Sequence, residues 1–476
     1  MKRFLKVTPE SIGIASQALL QLMQRLSKLE YINSIMILRH GKLCLEAWLK
    51  PYERNMPHQL FSLSKSFTSC AIGIAQSEGL LSIHDKLVKF FPEYMDCITD
   101  ERMKEVTLQD LLTMQSGHLS CPTGFPDFWK SSDWRKFYLS TRLDCRPGTA
   151  FTYNSLASYM LSAVISKVAG CNVREYLLPR LFEPLGIAPG IWECCPQGIN
   201  CGGWGLYLKT GDIARFAQML LQKGMWENKE IVPADYLADA VSAHADNSKN
   251  ISPDWKCGYG YQFWVSQHGY RGDGAAGQYA VVLPEEDIAI AVTSCVGNMQ
   301  DILTAFWEEL IPAVKDNALP ENPAAAGELA DFLEKLAIPV AVGDTEKRGK
   351  NTGWVFAGNP EGIKSCQVNF GVDDVSLVFD GPCGVEELRA GFGYHAHSYF
   401  QLTDREKHPV FASAAWKNEN ILEVRTFIAD GIYKDVWTIN FADPEEPVKN
   451  QVLCSCFRPQ KPELHNDYNL KNRIFP

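Results

Sequence analysis

Apolar residues recur at helical spacing in several separate stretches of the chain. Residues 10–29 carry Ile14, Ala18, Leu19, Leu22, Met23 and Leu26, which predicts a helix with one packing face. Phe67, Cys70, Ala71, Ile74 and Ala75 repeat that period after Ser62, and Gly79 supplies a stop. Thr107 is placed to cap a helix over Leu108–Met114 that ends at Ser116-Gly117. A longer helix is expected to start at Tyr153-Asn154-Ser155, with Leu156, Met160, Leu161, Val164 and Ile165 on its apolar positions. Thr210 and Asp212 open another that runs to Leu221, and Asp301–Val314 predicts a closing helix.

Elsewhere the period is two. Ile32–Leu38 and Leu43–Leu49 flank the turn His40-Gly41-Lys42 and predict a hairpin. Trp255–Val265 predicts a strand, and Tyr279–Leu283 with Ile288–Thr293 predicts a second hairpin around Pro284–Asp287. A Pro- and Ala-rich segment, Asn317–Ala326, interrupts the pattern. Beyond about residue 350 alternation dominates, in Cys366–Phe370, Val375–Phe379, Val410–Ala415, Ile421–Phe427 and Val436–Phe441. The expected organisation is an α+β domain over 1–316, a linker with a helix over 317–349, and a small antiparallel all-β domain over 350–476.

Three stretches follow no period. Residues 118–146 are rich in Trp, Phe, Pro and charge and predict a long loop over a cleft. Its Phe125, Phe128, Trp129 and Trp134 either line a pocket or pack. Cys201–Gly205 and Arg271–Gln278 are glycine-dense, so backbone there must approach something closely.

Composition narrows the function classes. With 46% hydrophobic and 21% charged residues the chain reads as an ordinary globular protein. A net charge of −10 argues against a nucleic-acid partner, which calls for a basic face. No segment approaches the ~20 apolar residues of a membrane span. The basic start Met1–Lys6 leads into Thr8, Pro9, Glu10 and Ser11 rather than an apolar run, so no secretory signal is expected. The 15 cysteines are then read as reduced thiols in a cytoplasm. Cys194, Cys195 and Cys201 lack paired C-x-x-C spacing, and His395 and His397 lack a third ligand, so no metal site is expected.

The candidate chemistry centres on Ser62, the only serine followed by lysine at the third position. Ser62 falls at or near a helix N-terminus, and Lys65 lies about one turn on, on the same face. A serine hydroxyl is a weak nucleophile until a base takes its proton, and a desolvated lysine is such a base. Taken alone, the pair also fits a helix cap beside an exposed first-turn lysine. Tyr153 is either an acid–base group or a core tyrosine with a satisfied hydroxyl.

Several motifs in order resolve this. Phe61-Ser62-Leu63-Ser64-Lys65-Ser66-Phe67, Val106–Gly117, Pro147–Tyr153, and Cys201–Gly205 followed by Asp212-Ile213-Ala214-Arg215-Phe216 resemble the serine β-lactamase and penicillin-binding-protein superfamily. The likeness covers the first ~315 residues and is closest to the class C-like branch of esterases, D-aminopeptidases and nylon-oligomer hydrolases. It implies an antiparallel sheet flanked by helices, with a mostly helical subdomain and the site between them. It also implies Ser62 as nucleophile, Lys65 and Tyr153 as proton carriers, and the backbone N–H groups of Ser62 and Ala275 as oxyanion hole. No cofactor is implied.

Two motifs depart from the family. Its Y-x-N reads Tyr153-Asn154-Ser155, so the amide facing substrate is either replaced by Ser155 or supplied by Asn154. Its K-T-G strand reads Gly272-Asp273-Gly274, without the cation that helps hold the carboxylate of β-lactams and D-Ala-D-Ala peptides. Either Arg271 substitutes, or Asp273 favours a neutral or cationic group. Gly277-Gln278 resembles the nylon-oligomer hydrolases. Asn154, Ser155, Arg271, Asp273, Gly274 and Gln278 are therefore the candidate substrate-binding residues. The expected function is a serine hydrolase acting on an ester or amide in a small molecule or short peptide. A β-lactamase or D,D-peptidase and an inert binding member of the same fold are the alternatives. The C-terminal β domain is left to shape the cleft, bind a ligand or form a homodimer.

Overall fold

The computed structural model describes residues 3–29, 31–356, 362–401, 407–443 and 447–452. The chain divides into two compact units, Met1–Trp48 with Pro57–Leu336, and Leu49–Met56 with Ala337–Pro476. The division falls after Leu336, inside the 317–349 segment expected as a linker with a helix. The Pro- and Ala-rich segment there is a helix start: Asn322 caps Pro323–Lys335, accepting from the Ala325 N–H at 3.1 Å, with Pro at the first position. That helix buries Ala325 and Leu329 and packs on the first-unit helix Ser16–Leu26. The end of the expected β domain, 453–476, lies outside the described residues.

The first unit is built on a six-stranded antiparallel sheet. Its strands are β1 (Ile32–Arg39), β2 (Lys42–Trp48), β3 (Trp264–Val265), β4 (Tyr270–Gly274), β5 (Gln278–Leu283) and β6 (Ile288–Ser294), in the order β2-β1-β6-β5-β4-β3. The strand expected over Trp255–Val265 contracts to β3. Pro253–Trp255 forms a tight 3₁₀ turn, and Gly258 has a φ of +114° that a strand does not tolerate. β1, β5 and β6 are buried along their whole length, and instead of alternating their middles, Ile35–Leu38, Tyr279–Leu283 and Ile288–Val292, are apolar without a break.

Four helices complete the frame. α2 (Ser64–Ser77) follows α1 (Ser16–Leu26) in sequence and is buried on all sides from Ser64 to Ala75. Its Phe67 stacks on Phe216 with ring centroids 3.9 Å apart and on Phe182 at 5.9 Å. α3 (Ser155–Ala169) packs against α2, and α4 (Thr210–Leu221) lies on the sheet. Asn154 caps α3, accepting from the N–H groups of Leu156 and Ala157 at 3.0 and 3.1 Å.

The second unit is a nine-stranded, curled sheet running from Thr352–Val355 to Val448–Val452. All neighbours pair antiparallel except Gly384–Phe392 with His408–Trp416, which touch in a short parallel ladder. The alternation read in the sequence places Val375, Leu377 and Phe379 inside, against Phe400 and Trp437.

Two stability outcomes follow from this packing. Phe67→Ala empties a closed aromatic stack and is expected to cost about 3–5 kcal/mol, read as a lowered urea midpoint. A wild-type midpoint would contradict the packing. Asn154→Ala is expected to lose about 0.5–2 kcal/mol by the same measurement, because it uncaps α3; an unchanged midpoint would contradict the cap.

Candidate active site

Ser62 is presented by a strained turn. The Leu60 N–H donates to the Leu206 carbonyl at 2.8 Å, and Phe61 then adopts a left-handed φ of +48°. Phe61–Leu63 form one 3₁₀ turn before α2 begins, which leaves Ser62 half-buried at its mouth. Gly274, at the end of β4, presses on this turn. A Cβ there would lie 2.0 Å from the Leu60 carbonyl oxygen, so only glycine lets β4 approach.

Lys65 is the centre of the cluster. It is 1% exposed, and its ammonium donates to Ser62 Oγ at 2.9 Å, Ser155 Oγ at 3.1 Å and the Gly203 carbonyl at 2.7 Å. Those three acceptors use all three N–H bonds of a charged lysine. Burial lowers its pKa to about 7, with Cys121 and Asp273 acting in the opposite sense. The neutral amine has only two N–H bonds, and the Gly203 carbonyl can only accept. A lone pair is then free to take a proton from one of the two hydroxyls.

The Gly203 carbonyl reaches Lys65 because glycine allows it. A Cβ on Gly203 would stand 2.7 Å from the Ser155 carbonyl oxygen, and one on Gly202 would stand 2.5 Å from Ser162 Cβ. The glycine density of Cys201–Gly205 is therefore a close approach of backbone to α3.

Tyr153 stands over the amine. Lys65 Nζ lies 4.8 Å from its ring centroid, and the ring stacks on Trp264 at 5.4 Å. Burial, and then the charge of Asp273, push its phenol far above the ordinary value, while a hydrogen bond with Ser62 pulls part of the way back. The phenol keeps its proton at neutral pH. Beside Ser62 Oγ, the group whose pKa lies near neutrality is Lys65.

The two readings of Tyr153-Asn154-Ser155 separate cleanly. Ser155 faces Lys65, whereas Asn154 is fully buried and occupied by the α3 cap and by a bond of 3.2 Å to Ser116 Oγ. Asn154 as a substrate-facing amide is corrected to a structural role.

β4 also differs from the expectation. Arg271 and Asp273 share one face, as alternate strand residues must. Arg271 is 0% exposed, with Nε donating to Asp273 Oδ2 at 3.0 Å and Nη1 donating to Ser266 Oγ at 2.6 Å and the Asp254 carbonyl at 3.0 Å. Its guanidinium lies 4.3 Å from the Trp255 ring centroid. Arg271 is thus engaged internally and does not offer an open cation. Burial lifts the Asp273 carboxyl above its usual range, and Arg271, Lys65 and Trp264 act against that lift. Burial also pushes Asp254 upward, but hydrogen bonds from Gln300, Trp307 and Gln267 outweigh it and hold this carboxyl below its ordinary value.

Gln278 and Gly274 are likewise structural rather than substrate-facing. Gln278 is fully buried, and its amide donates to the carbonyls of Ala275 at 2.9 Å and Ser294 at 2.6 Å while accepting from the Ser294 N–H. It clamps the turn that carries Ala275, where the Gly277 N–H bonds the Gly274 carbonyl at 3.1 Å.

Two neighbours were not singled out in the sequence. Cys121 Sγ accepts from the Ser155 N–H at 3.3 Å and approaches Asn154 Oδ1 at 3.5 Å, so it borders the cluster. Nothing in its local sequence marks it, because its loop has no period. Trp264 stacks on Tyr153, hidden in a segment read only as strand. The loop aromatics mostly pack: Phe128 and Trp134 are buried, and only Trp129 is substantially exposed. A cleft of about 700 Å³ lined by Phe4, Arg215, Gln218 and Trp226 includes none of the cluster residues.

Among the described residues all cysteines are free, and no group of three or more His, Cys, Asp or Glu could hold a metal ion. No single described helix is long and apolar enough to cross a membrane.

Residues 33–301 match the family model described as Beta-lactamase. Penicillin-binding protein 4 of Amycolatopsis lactamdurans is 25% identical over 215 residues, which are 37% of this chain and 56% of that protein. The chain thus spans about half the length of this curated relative. The octameric penicillin-binding protein homologue from Pyrococcus abyssi shares the fold over 93% of this chain and 98% of its own, with a TM-score of 0.50 and 19% identity. The hydrolase EstCE1, described as having promiscuous acyltransferase activity, shares it over 61% of this chain and 99% of its own, with a TM-score of 0.51 and 19% identity. With more than half of its residues matched by one family model, the chain belongs to the beta-lactamase family.

Proposed function

We propose that this protein is a serine hydrolase that cleaves an ester or amide bond through an acyl-enzyme on Ser62. The observation that carries the reading is the 2.9 Å contact between Ser62 Oγ and a buried Lys65 amine whose pKa lies at about 7. Lys65 takes the Ser62 proton as Oγ attacks the carbonyl carbon. The oxyanion forms against the N–H groups of Ser62 and Ala275, each such donor typically contributing about 3 kcal/mol. Tyr153, protonated and beside Ser62, donates its proton to the leaving group, and the proton that Lys65 took from Ser62 then restores the phenol and leaves the amine neutral. Water, deprotonated by the same amine, then releases the acyl group. The promiscuous acyltransferase activity of EstCE1 suits acyl transfer of this kind. Free thiols suit a reducing compartment such as the cytoplasm.

The test is turnover of 4-nitrophenyl butyrate with mass analysis of the quenched enzyme. Wild type is expected to carry one butyryl group on the peptide containing Ser62, and Ser62→Ala is expected to lose about 10³-fold or more of the rate. A Ser62→Ala protein as fast as wild type would overturn the reading. Lys65→Met is expected to fall comparably while keeping the wild-type urea midpoint within about 1 kcal/mol, since it removes a buried amine and retains its volume; full activity would remove Lys65 from the mechanism.

A further inference from the structure

We infer that Asp273 is a resident counter-ion that occupies the place a substrate carboxylate would take beside Arg271, so that the site accepts neutral and cationic acyl compounds and turns anionic ones away. This rests on acyl transfer at Ser62 and names the substrate class for that site.

The geometry supplies the reasons. Arg271 is wholly buried one residue outside the Gly272-Asp273-Gly274 strand end that meets the nucleophile turn. A guanidinium has five N–H donors and keeps its charge. Here Nε is spent on Asp273 and Nη1 on Ser266 and the Asp254 carbonyl, while Nη2 is buried without a hydrogen-bond acceptor. A planar fork with one arm filled by an internal carboxylate and another arm empty is a carboxylate receptor already half loaded.

Charge decides what else fits. The one carboxylate paired with the guanidinium is Asp273; Asp254 reaches it through its backbone carbonyl, and its own carboxylate is held by Gln267, Gln300 and Trp307. Asp273 acts on both Lys65 and Tyr153, so its charge is felt at the reacting groups. A substrate anion brought to this wall meets a like charge in a poorly hydrated setting, where repulsion is strong. Neutral and cationic groups meet none. The aromatic faces of Trp255, Trp264 and Tyr153 line the same wall and suit apolar or cationic substituents. On Lys65 the other group acting in the same sense as Asp273 is Cys121, from the loop packed against Ser155.

The test uses the full chain and three phenyl acetates whose rings carry a para carboxylate, methyl ester or trimethylammonium-methyl group. Wild type is expected to favour the neutral and cationic acetates over the carboxylate by about tenfold or more in kcat/KM. In Asp273→Asn the Arg271 fork is freed, and the carboxylate-to-methyl-ester ratio is expected to rise about tenfold. The acid limb of the methyl ester's pH profile is expected to move to lower pH in that variant, because a charge holding the proton on Lys65 is gone; a role in packing alone would leave the limb in place. Wild type that hydrolyses the carboxylate as fast as the methyl ester overturns the assignment.

Should Asp273→Asn fail to fold around an unpaired guanidinium, the charge-free pair Arg271→Met with Asp273→Asn is expected to lose the wild-type discrimination without gaining a preference for the carboxylate. Retained discrimination in that protein overturns the assignment. Binding of the product phenols needs no turnover and separates the two claims. Tighter binding of 4-hydroxybenzoate by Asp273→Asn, together with no Ser62-dependent hydrolysis, supports the counter-ion and defeats the hydrolase reading. Unchanged binding with intact hydrolysis does the reverse.

Discussion

A lysine amine without water is the constraint around which the first unit is arranged. A charged Lys65 loses its hydration on burial, and only three acceptors at hydrogen-bond distance offset that loss. One is a carbonyl, which fixes the amine; two are hydroxyls, which can exchange protons with it. The same burial that makes the residue costly makes it a base near neutrality. The desolvation cost and the lowered pKa therefore have one cause, the burial of Lys65.

The surrounding glycines follow from this demand. Gly203 lets a carbonyl reach the amine over the start of α3, and Gly274 lets β4 touch the nucleophile turn. Phe61 carries the strain of the turn in a left-handed conformation, which the buried core around Phe67 and Leu63 holds in place. Gln278 does for the Ala275 turn what Asn154 does for α3: each spends a buried amide on backbone, leaving the reacting positions to smaller groups. The cluster is thus framed by rigid elements rather than by the long loop at 118–146.

Ser62 and Lys65 were legible because their spacing puts both on one face at a helix start, and Tyr153 and the glycine-dense stretch follow them in order. The fold of the first unit was legible for a similar reason, as the middles of β1, β5 and β6, Ile35–Leu38, Tyr279–Leu283 and Ile288–Val292, are apolar without a break. What the chain did not disclose turns on single-residue phase and on burial. Asn154 and Ser155 are adjacent, and only the start of α3 decides which of them caps and which faces Lys65. Arg271 and Gln278 looked like binding groups because polar residues beside glycines often are. Two of their partners, the Asp254 carbonyl and the Ser294 carbonyl, lie 17 and 16 residues away, beyond the reach of a local pattern. The helix expected in the 317–349 linker is Pro323–Lys335, started by Asn322 and Pro323.

The pH dependence of phosphonylation at Ser62 reports the protonation of Lys65 without any contribution from leaving-group departure or deacylation. A fluorophosphonate is attacked only when the amine is neutral, so the second-order rate should fall as pH drops through the pKa of Lys65. The result expected is a single limb with its midpoint near pH 7, carried by the full-length chain and absent from Ser62→Ala. A rate that keeps rising to pH ~10, the ordinary range of a hydrated lysine, or one that does not change with pH at all, would contradict a desolvated Lys65 as the base.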